Sequence, residues 1–203
     1  IIVTNSSLVQ NWRKEIKYWL GDANLKPLVC SAKAGKVTPA ATISDFKTGY
    51  EKCMIISYDL CTRYASALRD LRCDLLICDE GHKLKNANIK IFKALKEVKT
   101  KRRIVLSGTP VQNDLGEFFC IADFLNPGIV GDAVGFKSLF TDPINLSREP
   151  NATPYQKQIG AKRSQELSNI INQFILRRTS DVLRAHLPPK NEFIVFCKIG
   201  MFI

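Results

Sequence analysis

Two adjacent carboxylates, Asp79 and Glu80, stand at the end of the apolar run Leu75-Leu76-Ile77-Cys78 and are followed by Gly81 and His82. A short apolar run of this kind marks a strand buried on both faces. In open α/β sheets the carboxyl ends of strands are where ligands bind. Neighbouring side chains at a strand end point in different directions, so one carboxylate can hold a metal ion while the other reaches a water molecule. Phosphoryl transfer to water needs that division of labour: Mg²⁺ on the phosphate oxygens, and a group that positions the attacking water. Gly81 permits a tight exit from the strand, and His82 can pass a hydrogen bond onward. Taken alone, the pair also suits the polar start of an ordinary loop.

Two further stretches bear on the choice. Ile104-Val105-Leu106 is a second buried-strand pattern, ending in Ser107-Gly108-Thr109-Pro110. Ser107 and Thr109 can reach His82 if the two strands are neighbours, although such small hydroxyl turns are common. The opening, Ile1 to Trp12, reads as strand, polar loop and then a helix capped by Ser7 with Gln10 three residues later.

Taken together, these stretches carry a family resemblance. DEGHKLKN at 79–86, LSGTPVQNDLGEF at 106–118, the Ser-Leu-Val-x-Asn-Trp opening, FILRRT at 174–179 and LPPK at 187–190 resemble, in the same order, the SWI/SNF-type DNA-dependent ATPases of helicase superfamily two. Asn126-Pro127-Gly128 and Leu146-Ser147-Arg148-Glu149-Pro150 support a resemblance to the recombination-repair, Rad-fifty-four-like branch, its B-type paralogue included. It covers nearly the whole chain.

The resemblance implies an ATP-driven translocase on double-stranded DNA in a nuclear setting, with ATP and Mg²⁺ as cofactors and a RecA-like recombinase filament as a candidate partner. It implies that Asp79 holds Mg²⁺, that Glu80 orients the water, and that His82, Ser107, Gly108, Thr109 and Gln112 couple nucleotide to DNA. It assigns Asn5, Ser7, Ser57, Tyr58, Lys83 and Lys85 to DNA phosphates, a sequence-independent and salt-dependent contact, and Arg177, Arg178 and Lys190 to a basic brace. Asn5 departs from the pattern, standing where the family usually has proline. The family's phosphate-cradling loop and its arginine finger have no match here. Gly35-Lys36 fails as such a loop, because Cys30 and Val37 occupy the positions of the first glycine and the Ser/Thr. The expectation is therefore a fragment, inactive by itself. Two other readings remain: an RNA helicase of the same superfamily, against which DEGH-x-LKN and SGTP-x-QN argue, and a non-catalytic module that binds DNA or protein.

The bulk numbers agree with a soluble nucleic-acid binder. Thirty Lys and Arg against 19 Asp and Glu give +11, and 45% hydrophobic residues suffice for a core. A basic balance favours a polyanionic partner, nucleic acid before a membrane surface. No apolar run approaches the ~18 residues of a membrane span, and the first residues do not form a signal peptide. The seven cysteines contain no Cys-x-x-Cys and the two histidines are far apart, so zinc is not expected and a reducing compartment fits.

The elements that must position these groups alternate strand and helix: strands at 1–4, 27–30, 54–58, 74–80 and 104–107, with helices at 7–20, 60–70, 88–99 and 115–125. That alternation predicts an α/β fold with a parallel sheet covered on both faces, and the resemblance implies that it is a partial RecA-like helicase lobe, the first of two, over 1–128. Leu8, Trp12, Ile16, Trp19 and Leu20 form the expected inner face of the first helix, with both tryptophans as core. Asp114 and Glu117 form a capping box. Residues 129–186 read as a helical elaboration and brace, with a helix at about 158–176. Residues 187–203 read as a stiff crossing and one last strand, Glu192 to Lys198, which the resemblance implies is the opening of a second lobe.

Overall fold

Short runs of three or four residues, mostly apolar and each too short for a helix, make the five strands: β1 (Ile2–Thr4), β2 (Leu28–Cys30), β3 (Met54–Ser57), β4 (Leu76–Cys78) and β5 (Arg103–Val105). They form one parallel sheet in the order β2-β3-β1-β4-β5. This computed structural model describes residues 1–31, 37–108, 114–178, 187–188 and 191–197. The chain divides into two units, 1–164 and 165–203, and the sheet lies in the first.

Alternation along the strands sends side chains to two separate clusters. Val3, Met54, Ile56, Leu76 and Cys78 join a large core with Leu60, Leu68, Phe92, Leu95 and Phe124. Ile2, Ile55 and Ile77 face the other way, against Val9, Trp12 and Ile16 of α1 (Val9–Leu20). Both faces of the inner strands are thus covered, as a parallel sheet requires, but the edge strand β5 is not: Ile104 is 44% exposed, which corrects the buried strand expected at Ile104-Val105-Leu106. The first core is closed by α2 (Pro39–Lys47), α3 (Tyr58–Arg63), α4 (Ala65–Arg69), α5 (Lys90–Lys96) and α6 (Leu115–Leu125).

Local chemistry sets several boundaries differently from the sequence expectation. Ser7 does not cap α1. Instead Leu8 N–H donates to Asn5 O at 2.9 Å, and the helix starts two residues later than predicted. Trp19 is 73% exposed, its indole N–H donating to Glu15 at 3.1 Å, so it is not core. Asp114 caps α6 as predicted, accepting from Gly116 and Glu117 N–H at 2.7 and 3.1 Å, but the Glu117 carboxylate turns to Lys85 at 2.8 Å. Half of the capping box is therefore replaced by an ion pair.

Beyond α6 the chain forms α7 (Ala133–Phe136), a π turn (Lys137–Thr141), α8 (Asp142–Ser147) and α9 (Pro154–Ile171). Phe136 ties the elaboration to α6 through rings of Phe118 and Phe119 at 6.2 and 5.1 Å between centroids. The long helix starts four residues earlier than predicted. Thr153 and Gln156 bond reciprocally, Thr153 N–H to Gln156 Oε1 at 2.7 Å and Gln156 N–H to Thr153 Oγ1 at 3.2 Å. That is a capping box with Pro154 at the first helical position. Residues 191–197 carry no strand pairing among the described residues. Lys198, the end of the run read as Glu192 to Lys198, lies outside the described residues.

Candidate active site

The sheet register assembles the site. Val3 pairs with both Ile56 and Cys78, and Cys78 pairs with Val105, which lines up Thr4, Ser57, Asp79 and Leu106 along the carboxyl edge. After β1 the chain turns toward β2, and after β4 it turns the opposite way toward β5. The crevice between β1 and β4 is therefore the topological switch point, where ligands bind in open α/β sheets. Asp79 sits on it.

Asp79 is held on every side. Its N–H donates to Val3 O at 2.8 Å. Oδ2 accepts from Thr4 Oγ1 and from Trp12 Nε1, both at 2.8 Å. Oδ1 accepts from Glu80 N–H at 3.0 Å. Its carbonyl accepts from Tyr58 Oη at 2.6 Å. Thr4 and Trp12 were not singled out as site residues from sequence, where Trp12 was expected as plain core. Their separation from Asp79, 75 and 67 residues, makes the contact a product of strand order. The visible signals were a hydroxyl ending a buried strand and a tryptophan on the inner face of α1.

Glu80 is different. It is the sole non-glycine among the described residues with positive φ, at φ 53° and ψ 50°. A left-handed residue with a Cβ costs about 1–2 kcal/mol, and the turn Gly81–Leu84 that follows holds it there. Gly81 was expected to supply the free backbone, yet the positive φ falls on Glu80. Gly81 is needed for space, because a Cβ there would overlap Val105 Cγ1. Its N–H donates to Leu106 O at 2.8 Å. The Glu80 carboxylate lies 3.3 Å from His82 Nδ1.

The strand condition for a link from His82 to Ser107 is met, since β4 and β5 are neighbours. Ser107 and Gly108 are exposed. Thr109, Gln112 and Lys190 lie outside the described residues. Asn5 is half-buried and Ser7 exposed on the loop after β1. The side chains of Ser57 and Tyr58 turn inward. Each is only 4% exposed; Ser57 Oγ caps α3 at Leu60 N–H, 3.4 Å away, and the Tyr58 hydroxyl is spent on Asp79. Burial, with Cys78 and Asp79 nearby, pushes the Tyr58 phenol up, so it remains a neutral donor. Lys83 Nζ lies 5.1 Å above the Tyr58 ring. Lys85 pairs with Glu117, which raises its pKa. Arg177 and Arg178 belong to the second unit and are exposed.

Mg²⁺ fits this arrangement. No group of three or more His, Cys, Asp and Glu that could hold a metal occurs among the described residues. A single carboxylate with an open acceptor position is what Mg²⁺ uses when water and substrate phosphates complete its shell.

Fold and site together define a RecA-like lobe of the helicase kind. The family model for the SNF2-related domain matches residues 1–201, and the chain belongs to that family. It is 43% identical over 201 residues to DNA repair and recombination protein RAD54B of Homo sapiens, covering 98% of this chain and 21% of that protein. It is 45% identical to Protein CHROMATIN REMODELING 25 of Arabidopsis thaliana, covering 98% and 22%. Among solved structures, the Sulfolobus solfataricus SWI2/SNF2 ATPase core in complex with dsDNA superposes with a TM-score of 0.67 at 31% identity, over 88% of this chain and 33% of that one. The chain thus spans about a fifth of the length of these curated relatives. No helix of the described residues is long and apolar enough to cross a membrane.

Proposed function

We propose that this chain is part of an ATP-dependent translocase on double-stranded DNA that remodels protein–DNA complexes in homologous-recombination repair in the nucleus. The observation that carries the reading is the unequal treatment of two adjacent carboxylates at the switch point. Asp79 is locked by five hydrogen bonds, as a metal ligand must be. Glu80 is turned out of line by its left-handed backbone, which suits a group that meets water. The likeness to RAD54B and to an ATPase core solved with duplex DNA supports the same conclusion.

In this reading Asp79 would hold Mg²⁺ through Oδ1, and the ion would supply charge neutralisation at the phosphate oxygens of ATP. Glu80 orients the attacking water, and His82, paired with Glu80, connects it toward Ser107, Gly108, Thr109 and Gln112. Asn5, Ser7, Lys83 and Lys85 face the DNA backbone, while Ser57 and Tyr58 act from behind as supports. Arg177, Arg178 and Lys190 serve as the brace, and a recombinase filament is the candidate protein partner. A glycine loop and an arginine finger must come from elsewhere; the finger alone is worth ~10³–10⁵ in rate, so the chain by itself is expected to be inactive.

The test is Glu80→Gln in the intact protein. ATP binding should persist while duplex-stimulated hydrolysis falls to background. Normal hydrolysis in that variant would remove Glu80 from the chemistry, and stronger stimulation by RNA than by duplex DNA would reverse the choice of substrate.

A further inference from the structure

We propose that Trp12 is a positioning residue for Asp79, and that its indole N–H makes the site select Mg²⁺ over larger cations. The inference rests on the reading of Asp79 as the metal ligand. An ionised carboxylate has about four acceptor positions, two on each oxygen. On Oδ2 both are filled, by Thr4 Oγ1 and Trp12 Nε1 at 2.8 Å each. On Oδ1 one is filled, by Glu80 N–H at 3.0 Å. The remaining position is on Oδ1, so the carboxylate offers a cation one oxygen.

That restriction discriminates between ions. Mg²⁺ takes a small octahedral shell built mostly from water and phosphate, whereas Ca²⁺ takes six to eight oxygens and accepts a carboxylate through both. Keeping Oδ2 occupied withholds the second oxygen that Ca²⁺ uses. Of the two donors, Trp12 is the one that fixes orientation. Its N–H is a donor only, in the plane of a rigid ring, while a hydroxyl such as that of Thr4 rotates and also accepts. The ring is half-buried and packed against the cluster of Ile2, Val9, Ile16 and Ile55, so the direction of the N–H is set by the sheet and α1 together.

The experiment replaces Trp12 in the intact protein by β-(3-benzothienyl)alanine, which keeps the shape and puts sulfur in place of N–H, alongside Trp12→Phe and Asp79→Asn. Mg²⁺ and Ca²⁺ are titrated calorimetrically into protein saturated with a non-hydrolysable ATP analogue. Loss of a hydrogen-bond partner to a metal ligand costs ~10–100-fold in affinity. Mg²⁺ binding should weaken about ten-fold in both Trp12 variants while Ca²⁺ binding holds or rises, lowering the Mg²⁺/Ca²⁺ ratio. An unchanged ratio, whether both ions weaken together or neither does, overturns the role of Trp12, provided Asp79→Asn has lost Mg²⁺. If Asp79→Asn retains Mg²⁺ at full affinity, the metal-ligand reading falls, and the inference with it.

Discussion

Replacing Gly81 by alanine should break the join between β4 and β5, and the cost follows from the surroundings. The added Cβ would overlap Val105 Cγ1, sit 3.3 Å from Val105 Cβ and come within 3.5 Å of Leu106 O. Gly81 does not have positive φ, so backbone freedom is not at stake; the cost is steric. Val105 is β-branched and stiff at χ1, and forcing it off its rotamer costs about 0.5–1.5 kcal/mol. The alternative is to push β5 away, which sacrifices the 2.8 Å bond from Gly81 N–H to Leu106 O, worth about 1 kcal/mol. Overpacking of this kind costs about 1–3 kcal/mol, and a value near 2 is expected here. Hydrogen exchange reads it directly: protection of the residue-81 and Leu106 amides should drop some 30-fold, since each 1.4 kcal/mol is about ten-fold. In the intact protein, on the proposed reading of Glu80, ATP hydrolysis should fall as well, because Glu80 stands on the same turn. Val105→Ala added to Gly81→Ala removes the offending methyl and should recover about 1 kcal/mol relative to the sum of the single changes. Strict additivity, or wild-type protection in Gly81→Ala, would refute the steric argument.

Other consequences can be checked alongside. Tyr58→Phe removes the 2.6 Å donor to Asp79 O and should cost about 1 kcal/mol in urea denaturation. Because the folded phenol titrates above the unfolded one, its contribution is complete below pH ~10 and lost as pH rises beyond that, so the wild type should lose stability there faster than the phenylalanine variant. Lys83→Ala should weaken binding to any duplex sequence alike and lower the slope of log affinity against log salt by about 0.9, as filter binding across salt concentrations would show. Burial pushes the Cys30 and Cys78 thiols up to about 11 and about 12; a thiol reagent at pH 8 should therefore modify exposed Cys197 long before either, as peptide mass mapping would report.

The strands were legible because each is an apolar run with no helical period, and Asp79 and Glu80 because they interrupt one at its end. Helix faces were less so. Trp19 and Leu20 match the period of α1, yet they fall in its last turn, and both are exposed; the buried residues of α1 are Val9 and Ile16. The grip of Thr4 and Trp12 on Asp79 could not be read at all from local pattern, because it needs β1 to lie beside β4 rather than beside β2. Ser57 was legible only as a pair of alternatives: a hydroxyl at a strand end suits a phosphate or a helix cap, and its side chain caps α3. Thr153-Pro154-Tyr155-Gln156 carried a full capping signature that the spacing of the later apolar residues, which placed the start near 158, did not reveal.

The structure also explains why two carboxylates side by side are not interchangeable. The Asp79 side chain is short enough for its oxygens to remain within reach of donors on β1, α1 and its own backbone; a glutamate there would carry the carboxylate past Thr4 and Trp12 and leave buried donors unpaired. Glu80 stands on a backbone that aims it elsewhere, and its extra methylene takes the carboxylate to His82. The left-handed turn is thus what aims the two carboxylates in different directions. It is held on one side by Asp79 Oδ1 accepting from Glu80 N–H and on the other by Gly81 bonded to Leu106. Whatever moves β5 relative to β4 must act on that turn, so the segment beginning at Ser107 has mechanical access to the aim of Glu80 without touching either carboxylate.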